Sequence, residues 1–328
     1  MKVPGIKTAK RLSRWAKARF LGGAIILGYH RISAALDDVY EVCVSPENFS
    51  HQMEILCKYA RPISLLHLVQ YLKRGAVPPK SVVVTFDDGY VDNLHIAKPI
   101  LEKYGIPATV FVCTGYAGKE LWWDELAHLV KSSRADPRAL RIQPGGFEWN
   151  GTQAISTVEN HKVQGQLRDV LYQSLLLLDV EDQNLAMDSI RKWAGSFSHE
   201  TGESRTMTEG ELLQLADGGL IEIGAHTRYH PTLPQLSFER QKEEIESSKK
   251  DLESLLGKQI MGFAYPNGRA TGSAKRIVQD IGFAYACTSL NDVVRPGNDL
   301  YELTRFWQKD VDGDKFMKGL RVWSPSIQ

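Results

Sequence analysis

The chain has 328 residues, of which 43% are hydrophobic and 24% are charged, and this composition is typical of a folded globular protein rather than a disordered one. A formal net charge of +1, with basic and acidic residues mixed beyond the N-terminus, argues against a nucleic-acid-binding protein. The cysteines form no CxxC pair of the kind that zinc, iron-sulfur or redox sites use, so we expect all of them to be core residues in a reducing compartment. They are Cys43, Cys57, Cys113 and Cys287.

The N-terminal residues 1–22 are rich in Lys and Arg and contain no acidic residue. Leu12, Trp15 and Phe20 are interleaved among the basic residues, a pattern typical of an interfacial helix on anionic lipid head groups. A solvated helix that packs Leu12 and Trp15 on the domain fits as well, and a signal peptide is a third interpretation. No stretch reaches the roughly 20 apolar residues of a membrane span. We therefore expect a cytoplasmic protein with peripheral contact at the inner face of the membrane.

Short apolar runs alternate with segments of helical period along most of the chain. Residues 24–29 predict a strand, and Ser45 and Pro46 then supply an N-cap and a first-turn proline for a helix. Further strands are predicted at 81–86, 108–113, 221–224, 261–265 and 283–287. Repeated strand-helix alternation implies parallel strands, and about seven such units favour a barrel-like α/β domain over an open sheet.

The alternation breaks between about residues 121 and 205, where the pattern predicts a helical insertion on one rim of the barrel. A helix is expected near 123–131, then a loop at 144–146 and a helix at 171–178. We therefore expect a basic extension at 1–22, one catalytic domain with its insertion at 23–310, and a C-terminal tail at 311–328.

Two adjacent carboxylates, Asp87 and Asp88, follow the predicted strand 81–86. In barrels of this kind the carboxyl ends of the strands form the active site. Adjacent carboxylates repel each other, so this pair at the end of an apolar strand requires a cation or an arginine nearby. Asp-Asp-Gly is also a common turn sequence, and the fragment alone leaves a plain turn open.

Two histidines, His226 and His230, follow the predicted strand 221–224. Their spacing would bring both imidazoles to one side of a helical turn, and Pro231 limits that helix to a single turn. Two histidines and one carboxylate are a standard ligand set for Zn²⁺ or a similar divalent ion. An isolated HxxxH pair is often a surface coincidence. Because both fragments lie at strand ends of one domain, a metal centre is favoured.

The segments Thr85-Phe-Asp-Asp-Gly89 and His226-Thr-Arg-Tyr-His230 resemble the two leading motifs of the polysaccharide deacetylase family, carbohydrate esterase family 4, whose shared unit is the NodB homology domain. Similarity extends to Tyr29-His30-Arg31-Ile32, Ala264-Tyr-Pro-Asn-Gly268 and Leu303-Thr-Arg305. The resemblance implies a distorted (β/α) barrel of about seven parallel strands that removes N-acetyl groups from a glycan or glycolipid. It also implies that Asp88, His226 and His230 hold a divalent metal, Zn²⁺ or alternatively Co²⁺ or Ni²⁺, and that Asp87 is the general base.

Two positions depart from the family pattern. The best-known members carry a catalytic histidine in a late Leu-x-His motif, but this chain has Arg305 there. His30 is our candidate for the general acid, because the first strand opens onto the same face and some related deacetylases with a Tyr-His start use it; alternatively, His30 only bonds to Asp87 or to backbone. Ala264 stands where many members have the arginine that orients the base, and Arg305 suits that role.

Aromatic residues near the predicted site are candidates for substrate binding. Trp122 and Trp123 open the insertion and either stack on sugar rings or anchor the insertion on the barrel. The turn Tyr265, Pro266 and Asn267 is expected to lie beside the substrate and to supply backbone N–H groups to the oxyanion. A lipid-linked saccharide precursor is expected rather than a finished wall polymer.

Three other functions are compatible with these residues. One is hydrolysis of a different non-peptide C–N bond, such as a small amide, and another is removal of O-acetyl groups. The third is a non-catalytic glycan-binding relative, against which the joint presence of Asp87, Asp88, His226 and His230 argues, because a binding module needs no base beside a metal.

Overall fold

Parallel strands form the centre of the molecule. The computed structural model describes residues 23–34, 38–142, 160–195 and 204–327, so the basic extension at 1–22 and the predicted loop at 144–146 lie outside the described residues. The strands are β1 (Ala24–Tyr29), β2 (Arg31–Ile32), β3 (Cys43–Val44), β4 (Arg61–Pro62), β5 (Ser81–Phe86), β6 (Ala108–Val112), β7 (Ile221–Ala225), β8 (Gly262–Ala264), β9 (Tyr285–Cys287) and β10 (Phe306–Trp307). The main sheet has the order β10-β1-β5-β6-β7-β8-β9, with β4 paired to β5, while β2 and β3 form a separate pair. All of these pairings are parallel, which confirms the predicted sheet of about seven strands.

The segment from Leu303 to Trp307 joins the two ends of this sheet. Leu303 pairs in parallel with Cys287 of β9, and Phe306 pairs in parallel with Leu27 of β1. These short pairings close the curled sheet into the distorted barrel that the sequence predicts. Because each involves only one or two residues, no apolar run marks the closing segment in the sequence.

Helices follow most of the strands. They are α1 (Pro46–Tyr59), α2 (Leu65–Lys73), α3 (Lys98–Tyr104), α4 (Trp122–Ser132), α5 (Asn160–Leu175), α6 (Val180–Ala194), α7 (Glu209–Ala216), α8 (Phe238–Leu256), α9 (Gly272–Asp280) and α10 (Gly313–Trp323). Ser45 caps α1 as predicted, and Thr208 and Glu211 form the predicted capping box of α7. Gly105 ends α3 in the left-handed conformation, with φ of 62°. In the parts of the chain that the structure describes, no helix has both the length and the apolarity of a membrane span.

The insertion builds a core of its own. Helices α4, α5 and α6 bury a cluster that includes Trp122, Leu171 and Ile190, separate from the main core between the sheet and its helices. The predicted helix at 171–178 is wrong at its end, because α5 stops at Leu175 and α6 begins at Val180. The Asp179 side chain accepts a hydrogen bond from the backbone N–H of Asp182 and caps α6, so the leucine-rich run ends just before a new helix begins.

The C-terminal segment is part of the barrel domain, and its prediction as a tail is wrong. Asp312 caps α10, and Phe316 and Leu320 lie four residues apart on the face that packs into the main core. The side chain of Ile327 is also buried. This amphipathic helix packs beside α1, so the folded domain extends to the last described residues.

One of the four cysteines departs from the expected core position. Cys43, Cys113 and Cys287 are buried, whereas Cys57 is exposed on α1, and all four are free thiols. Cys57 follows Leu56, which is fully buried, so the helical period turns the thiol toward solvent.

Candidate active site

The carboxyl ends of β1, β5 and β7 bring the predicted metal ligands, the predicted base and His30 into one cavity of about 360 Å³. The cavity is lined by His30, Asp87, Asp88, His226 and His230, among others. These residues are separated by up to 200 positions in the sequence, and they meet because parallel strands end at the same rim of a barrel.

Asp88 lies close to both histidines. Its Oδ1 atom lies 3.6 Å from Nε2 of His226 and 3.8 Å from Nε2 of His230. This oxygen is buried and has no hydrogen-bond partner among the described residues. Burial, and after it the charge of Asp87, raises the pKa of Asp88 well above its ordinary value. A buried carboxylate that faces two imidazoles and lacks a proton donor fits a divalent cation.

The hydrogen bond of His226 fixes which of its nitrogens is available. Nδ1 lies 2.7 Å from the backbone carbonyl oxygen of Ala264. A carbonyl only accepts hydrogen bonds, so Nδ1 carries the proton and Nε2 presents its lone pair toward Asp88. Burial lowers the pKa of His226, and it lowers the pKa of His230 even further. Both imidazoles are therefore held in the neutral form that ligates metals.

The two histidines are joined by a strained loop, and the predicted helical turn is wrong. Thr227 has φ of 62° and His230 has φ of 53°, both in the left-handed region. For a β-branched threonine this conformation is rare, and it is held here by side-chain bonds. The Thr227 hydroxyl donates to the carbonyl of His226 at 2.5 Å and accepts from the N–H of His230 at 3.0 Å.

Glu244 of α8 holds the outer part of the same loop. Its Oε2 atom accepts the backbone N–H groups of Arg228, at 3.0 Å, and Tyr229, at 2.9 Å. Burial raises the pKa of this carboxyl. The sequence gives no signal for this role, because Glu244 is one of several acidic residues on a charged helix. It nevertheless positions the backbone between the two histidines.

Cys113, at the end of β6, lies beside the same group. One donor atom from each of Asp88, Cys113 and His226 lies within 4.8 Å of the other two. The Cys113 thiol donates to the backbone carbonyl of His226 at 3.4 Å, and burial raises its pKa well above the ordinary value. A cysteine binds a metal as the thiolate, and the raised pKa disfavours that form. His230 is therefore the better third ligand, and Cys113 supports the histidine loop.

Asp87 is held by Arg305 through a bidentate pair. Nη1 of Arg305 lies 2.7 Å from Oδ1, and Nη2 lies 2.8 Å from Oδ2. Arg305 is fully buried, and its Nε donates to the carbonyl of Thr288 at 3.0 Å. Burial alone would raise the pKa of Asp87, but the charge of Arg305 and its hydrogen bonds outweigh burial and lower the pKa to about 2. Asp87 is thus an oriented carboxylate, 3.7 Å from Nε2 of His226.

His30 lines the cavity from the end of β1. Its ring stacks on Trp307, with ring centroids 4.4 Å apart, and makes no hydrogen bond to Asp87 or to any other described residue. Burial lowers the pKa of His30 to about 4, although the charge of Asp87 opposes the effect. The imidazole is therefore neutral near pH 7 and able to accept a proton.

The turn after β8 contributes less than predicted. The Tyr265 side chain is fully buried, its hydroxyl donates to the carbonyl of Tyr301, and its N–H donates to the carbonyl of Cys287 at 3.1 Å. Pro266 has no N–H group, so neither residue offers a donor to a substrate. Asn267 does line the cavity, with φ of 55°. Of this turn, only the backbone N–H of Asn267 suits an oxyanion.

The two tryptophans of the insertion have different positions. Trp122 is buried in the core of the insertion and does not line the cavity, so its predicted contact with substrate is wrong. Trp123 lines the cavity, and its ring lies 4.8 Å from that of His230. Its Nε1 donates to the hydroxyl of Tyr90 at 3.1 Å, and that hydroxyl donates to Asp124 at 2.7 Å. Tyr90 and Asp124 were not predicted.

Comparison with known proteins gives one family match. The family model described as polysaccharide deacetylase matches residues 74–136 and 186–286, together half of the chain. A poly-beta-1,6-N-acetyl-D-glucosamine N-deacetylase of Staphylococcus aureus is 34% identical over 110 residues, which are 30% of this chain. The match spans only 38% of the length of that relative.

Solved structures with the same fold cover nearly the whole chain. The deacetylase PplD of Streptococcus pyogenes, in complex with acetate, has a TM-score of 0.60 at 19% identity and covers 92% of this chain and 99% of its own. IcaB from Ammonifex degensii has a TM-score of 0.60 at 20% identity and covers 92% and 97%. At these identities the likeness establishes the fold, which is the predicted distorted barrel.

Proposed function

Because this chain belongs to the polysaccharide deacetylase family, we propose that it is a metal-dependent hydrolase that removes N-acetyl groups from an amino-sugar-containing glycan. The observation that carries the proposal is the arrangement around Asp88. A buried oxygen of Asp88 has no hydrogen-bond partner among the described residues and faces two neutral imidazoles. A second carboxylate, that of Asp87, lies beside them and is hydrogen-bonded to Arg305.

The residues that would hold the metal are Asp88, His226 and His230. Their donor set of one carboxylate and two imidazoles suits Zn²⁺, and Co²⁺ or Ni²⁺ can take the same ligands. When bound, such an ion supplies Lewis acidity toward the amide carbonyl and toward water. The hydrogen bond from His226 to Ala264 supports this role, because it fixes the tautomer that a ligand needs.

Asp87 serves as the general base in this proposal. Its carboxylate lines the cavity and stays ionised at neutral pH, since its pKa is about 2. The fork of Arg305 fixes the plane of the carboxylate, so that Asp87 accepts a proton from the attacking water in one orientation. Because its pKa is low, Asp87 is a weak base and readily gives up the proton that it has accepted from water.

His30 serves as the general acid for departure of the amine. Its neutral imidazole takes up the proton released during attack and then donates it to the leaving nitrogen. The stack on Trp307 limits the ring to one plane within the cavity. The N–H of Asn267 is the backbone donor that supports the oxyanion.

The experiment is acetate release from N-acetylated hexosamine oligosaccharides, O-acetylated glycans and small amides, with protein loaded with Zn²⁺, Co²⁺ or Ni²⁺. We expect release from the N-acetylated glycans, loss of release in Asp87→Asn with metal retained, and a large fall in rate in His30→Ala. Release only from esters or from small amides would replace the proposal with one of those activities. A bound metal without any release would favour a glycan-binding protein.

Metal binding is tested separately by calorimetric titration with Zn²⁺. Asp88→Asn and His230→Ala should weaken the affinity by at least about tenfold, or roughly 1.4 kcal/mol. Cys113→Ala is the matched control, because the thiol lies beside the same atoms. A loss of affinity in Cys113→Ala equal to that in His230→Ala would assign the third ligand to the cysteine.

The glycan and its location are the finer part of the proposal. The Staphylococcus aureus relative is named for a poly-N-acetylglucosamine substrate, and a lipid-linked amino sugar remains our candidate for a protein at the inner face of the membrane. Comparing acetate release from free oligosaccharides with release from the same saccharides on a lipid carrier separates the two.

A further inference from the structure

The proposed base and the proposed acid lie on two chain segments that are joined through their backbones. Asp87 begins the loop after β5, and His30 lies between β1 and β2, where the chain passes from the main sheet to the β2–β3 pair. The N–H of Asp87 donates to the carbonyl of Tyr29, directly before His30, at 3.0 Å. The loop that carries the base therefore also contacts the segment that carries the acid.

Asp92, later in the same loop, holds the residues that follow His30. Its Oδ1 atom accepts the backbone N–H of Ile32 at 3.1 Å, and its Oδ2 atom accepts Nε of Arg31 at 3.0 Å. Asp92 and Arg31 are both buried. A buried carboxylate that bonds to the backbone and to a guanidinium of the same segment leaves that segment little freedom to move.

Asn93 holds His30 itself. Its Nδ2 atom donates to the backbone carbonyl of His30 at 2.9 Å and to Oδ1 of Asp92 at 2.9 Å. The buried Oδ1 atom of Asn93 has no hydrogen-bond partner among the described residues. The fold therefore uses this side chain as a donor, and one of its two bonds goes to the backbone of the proposed acid.

Asn93 occupies an unusual local structure. Residues Asn93–Ala97 form a π-helical turn directly before α3, in which the N–H of Lys98 donates to the carbonyl of Asn93. Single π-helical turns are rare and are frequent at functional sites. This turn begins next to Asp92, and the side chains of Asp92 and Asn93 both reach the junction of β1 and β2.

The His30 ring has one printed contact that fixes its orientation, the stack on Trp307. A general acid must lie within hydrogen-bond reach of the leaving atom and point toward it. The ring follows its backbone, so the bonds to residues 29–32 decide where the imidazole lies. Those bonds come from the loop that begins with Asp87.

We propose that Asp92 and Asn93 are positioning residues that hold His30 in a fixed place relative to Asp87, so that one loop, residues 87–93, carries the base and also sets the acid. The inference rests on the proposed function for the roles of Asp87 and His30. Neither Asp92 nor Asn93 lines the cavity, so their effect on the reaction passes through His30.

The position of His30 is measured by NMR of the imidazole groups in the full-length protein. The His30 signals are identified by their loss in His30→Ala. We expect them to shift and broaden in Asn93→Ala, and also in Asn93→Leu, which keeps the size of the side chain without its donors. Asn48→Ala is the control, because it removes an amide that donates to Asp310, and it should leave the His30 signals unchanged.

The rate of acetate release separates positioning from a general loss of structure. Hydrolysis of an amide needs a proton for the leaving amine, whereas para-nitrophenyl acetate releases an anion that departs without one. Asn93→Ala should slow release from the β-linked N-acetylglucosamine trimer by about tenfold and release from the ester by less than about twofold. In the His30→Ala background, Asn93→Ala should slow the amide reaction no further, because the group that it positions is already gone.

The outcomes distinguish this inference from the proposed function. Unchanged His30 signals in both Asn93 variants, an equal fall in rate for amide and ester, or an additive loss in the double variant would overturn the inference. If the wild-type protein releases no acetate from any substrate, the proposed function fails. The NMR comparison then still decides whether Asn93 holds His30 in place.

Discussion

Arg305 and Asp87 form a bidentate pair in which both carboxylate oxygens are engaged, at 2.7 and 2.8 Å. The guanidinium also donates to Thr85 and to the carbonyl of Thr288, so each of its three nitrogens has an acceptor. A buried cation with this many partners fixes both its own position and the plane of the carboxylate. In many family members an arginine at the position of Ala264 is expected to do this, and here Arg305, directly before β10, supplies the guanidinium.

Arg305→Lys should lower the rate of acetate release by about 10- to 100-fold with little change in zinc affinity. A lysine has a single ammonium group and cannot bond both oxygens of Asp87 in the bidentate geometry of the guanidinium. Unfolding in urea should show a loss of about 1–3 kcal/mol, since the Thr288 carbonyl loses its donor. Thr304→Ala is the control, because its hydroxyl bonds to the carbonyl of Asp292. An unchanged rate in Arg305→Lys would mean that the fork does not orient the base.

The strands and helices of the barrel can be predicted from the sequence where the hydrophobic pattern extends over several residues. Buried strands such as β5 are continuous apolar runs, and helix starts at Ser45 and Thr208 carry capping residues that need only local sequence. The strand pairing of the closing segment, Leu303 to Trp307, cannot be predicted from the sequence, because its partners are set by the curvature of the sheet. Helix α10 carried a signal in Asp312 and the Phe316 and Leu320 spacing, but a segment near the chain end was interpreted as a tail.

The candidate site also has residues that local sequence patterns predict and residues that they do not. Asp87, Asp88, His226 and His230 were found because adjacent carboxylates and paired histidines at strand ends are local patterns. Glu244 was missed because its partners are backbone N–H groups of another element, which no side-chain pattern reveals. The contacts of the insertion with the cavity also depend on the packing of α4 and α5, which sequence spacing alone does not give.

Tyr90 links the loop that carries Asp87 and Asp88 to the insertion. Its hydroxyl donates to Asp124 and accepts from Trp123, whose ring lies against His230. Burial raises the pKa of Asp124 to about 6, and the hydrogen bond from Tyr90 acts in the opposite direction. The buried Tyr90 hydroxyl therefore joins the insertion to the loop that carries Asp87 and Asp88.

Tyr90→Phe should destabilise the protein by about 1–3 kcal/mol, because a buried carboxylate and an indole N–H both lose their partner. Zinc affinity should fall as well, since Trp123 no longer has a fixed position beside His230. Urea unfolding and zinc titration at pH 7 measure the two effects. Tyr59→Phe on α1 is the matched control and should change stability by less than about 0.5 kcal/mol. Equal effects of the two substitutions would contradict the role of this network.

Glu244→Ala should weaken zinc binding and slow acetate release by about tenfold, because the loop between the two histidines loses the acceptor for two backbone N–H groups. Glu244→Gln should restore part of the loss, since an amide oxygen can accept the same bonds. Zinc titration and steady-state rates measure both variants. Glu243→Ala, a neighbour that pairs with Arg240 on the surface, should behave like the wild type. If Glu243→Ala and Glu244→Ala are alike, the loop is held by other contacts.

Glu211 stabilises the backbone that supports the Asp88 loop. It pairs with Arg205 at 2.6 and 2.7 Å and accepts the N–H of Thr208 in the capping box of α7. The adjoining Met207 donates its N–H to the carbonyl of Gly89, directly after the metal-ligand candidate. The hydrogen bonds from Arg205 lower the pKa of Glu211 from 4.5 to about 2, although burial opposes them. His95 lies 3.5 Å away, but its side chain is 57% exposed.

Because the pKa of Glu211 is lower in the folded protein than in the unfolded chain, its ionised form stabilises the fold above about pH 4.5, and this contribution is lost as the pH falls toward 2. Glu211→Gln should therefore cost about 1–2 kcal/mol at pH 7 and progressively less between pH 5 and pH 3. Urea unfolding of both proteins across this range measures the difference. Glu209→Gln, at the exposed start of α7, should show a smaller difference at every pH. A cost for Glu211→Gln that is the same at pH 7 and pH 3 would show that the charge of Glu211 does not hold Arg205, and the support of the Gly89 carbonyl would then rest on the backbone alone.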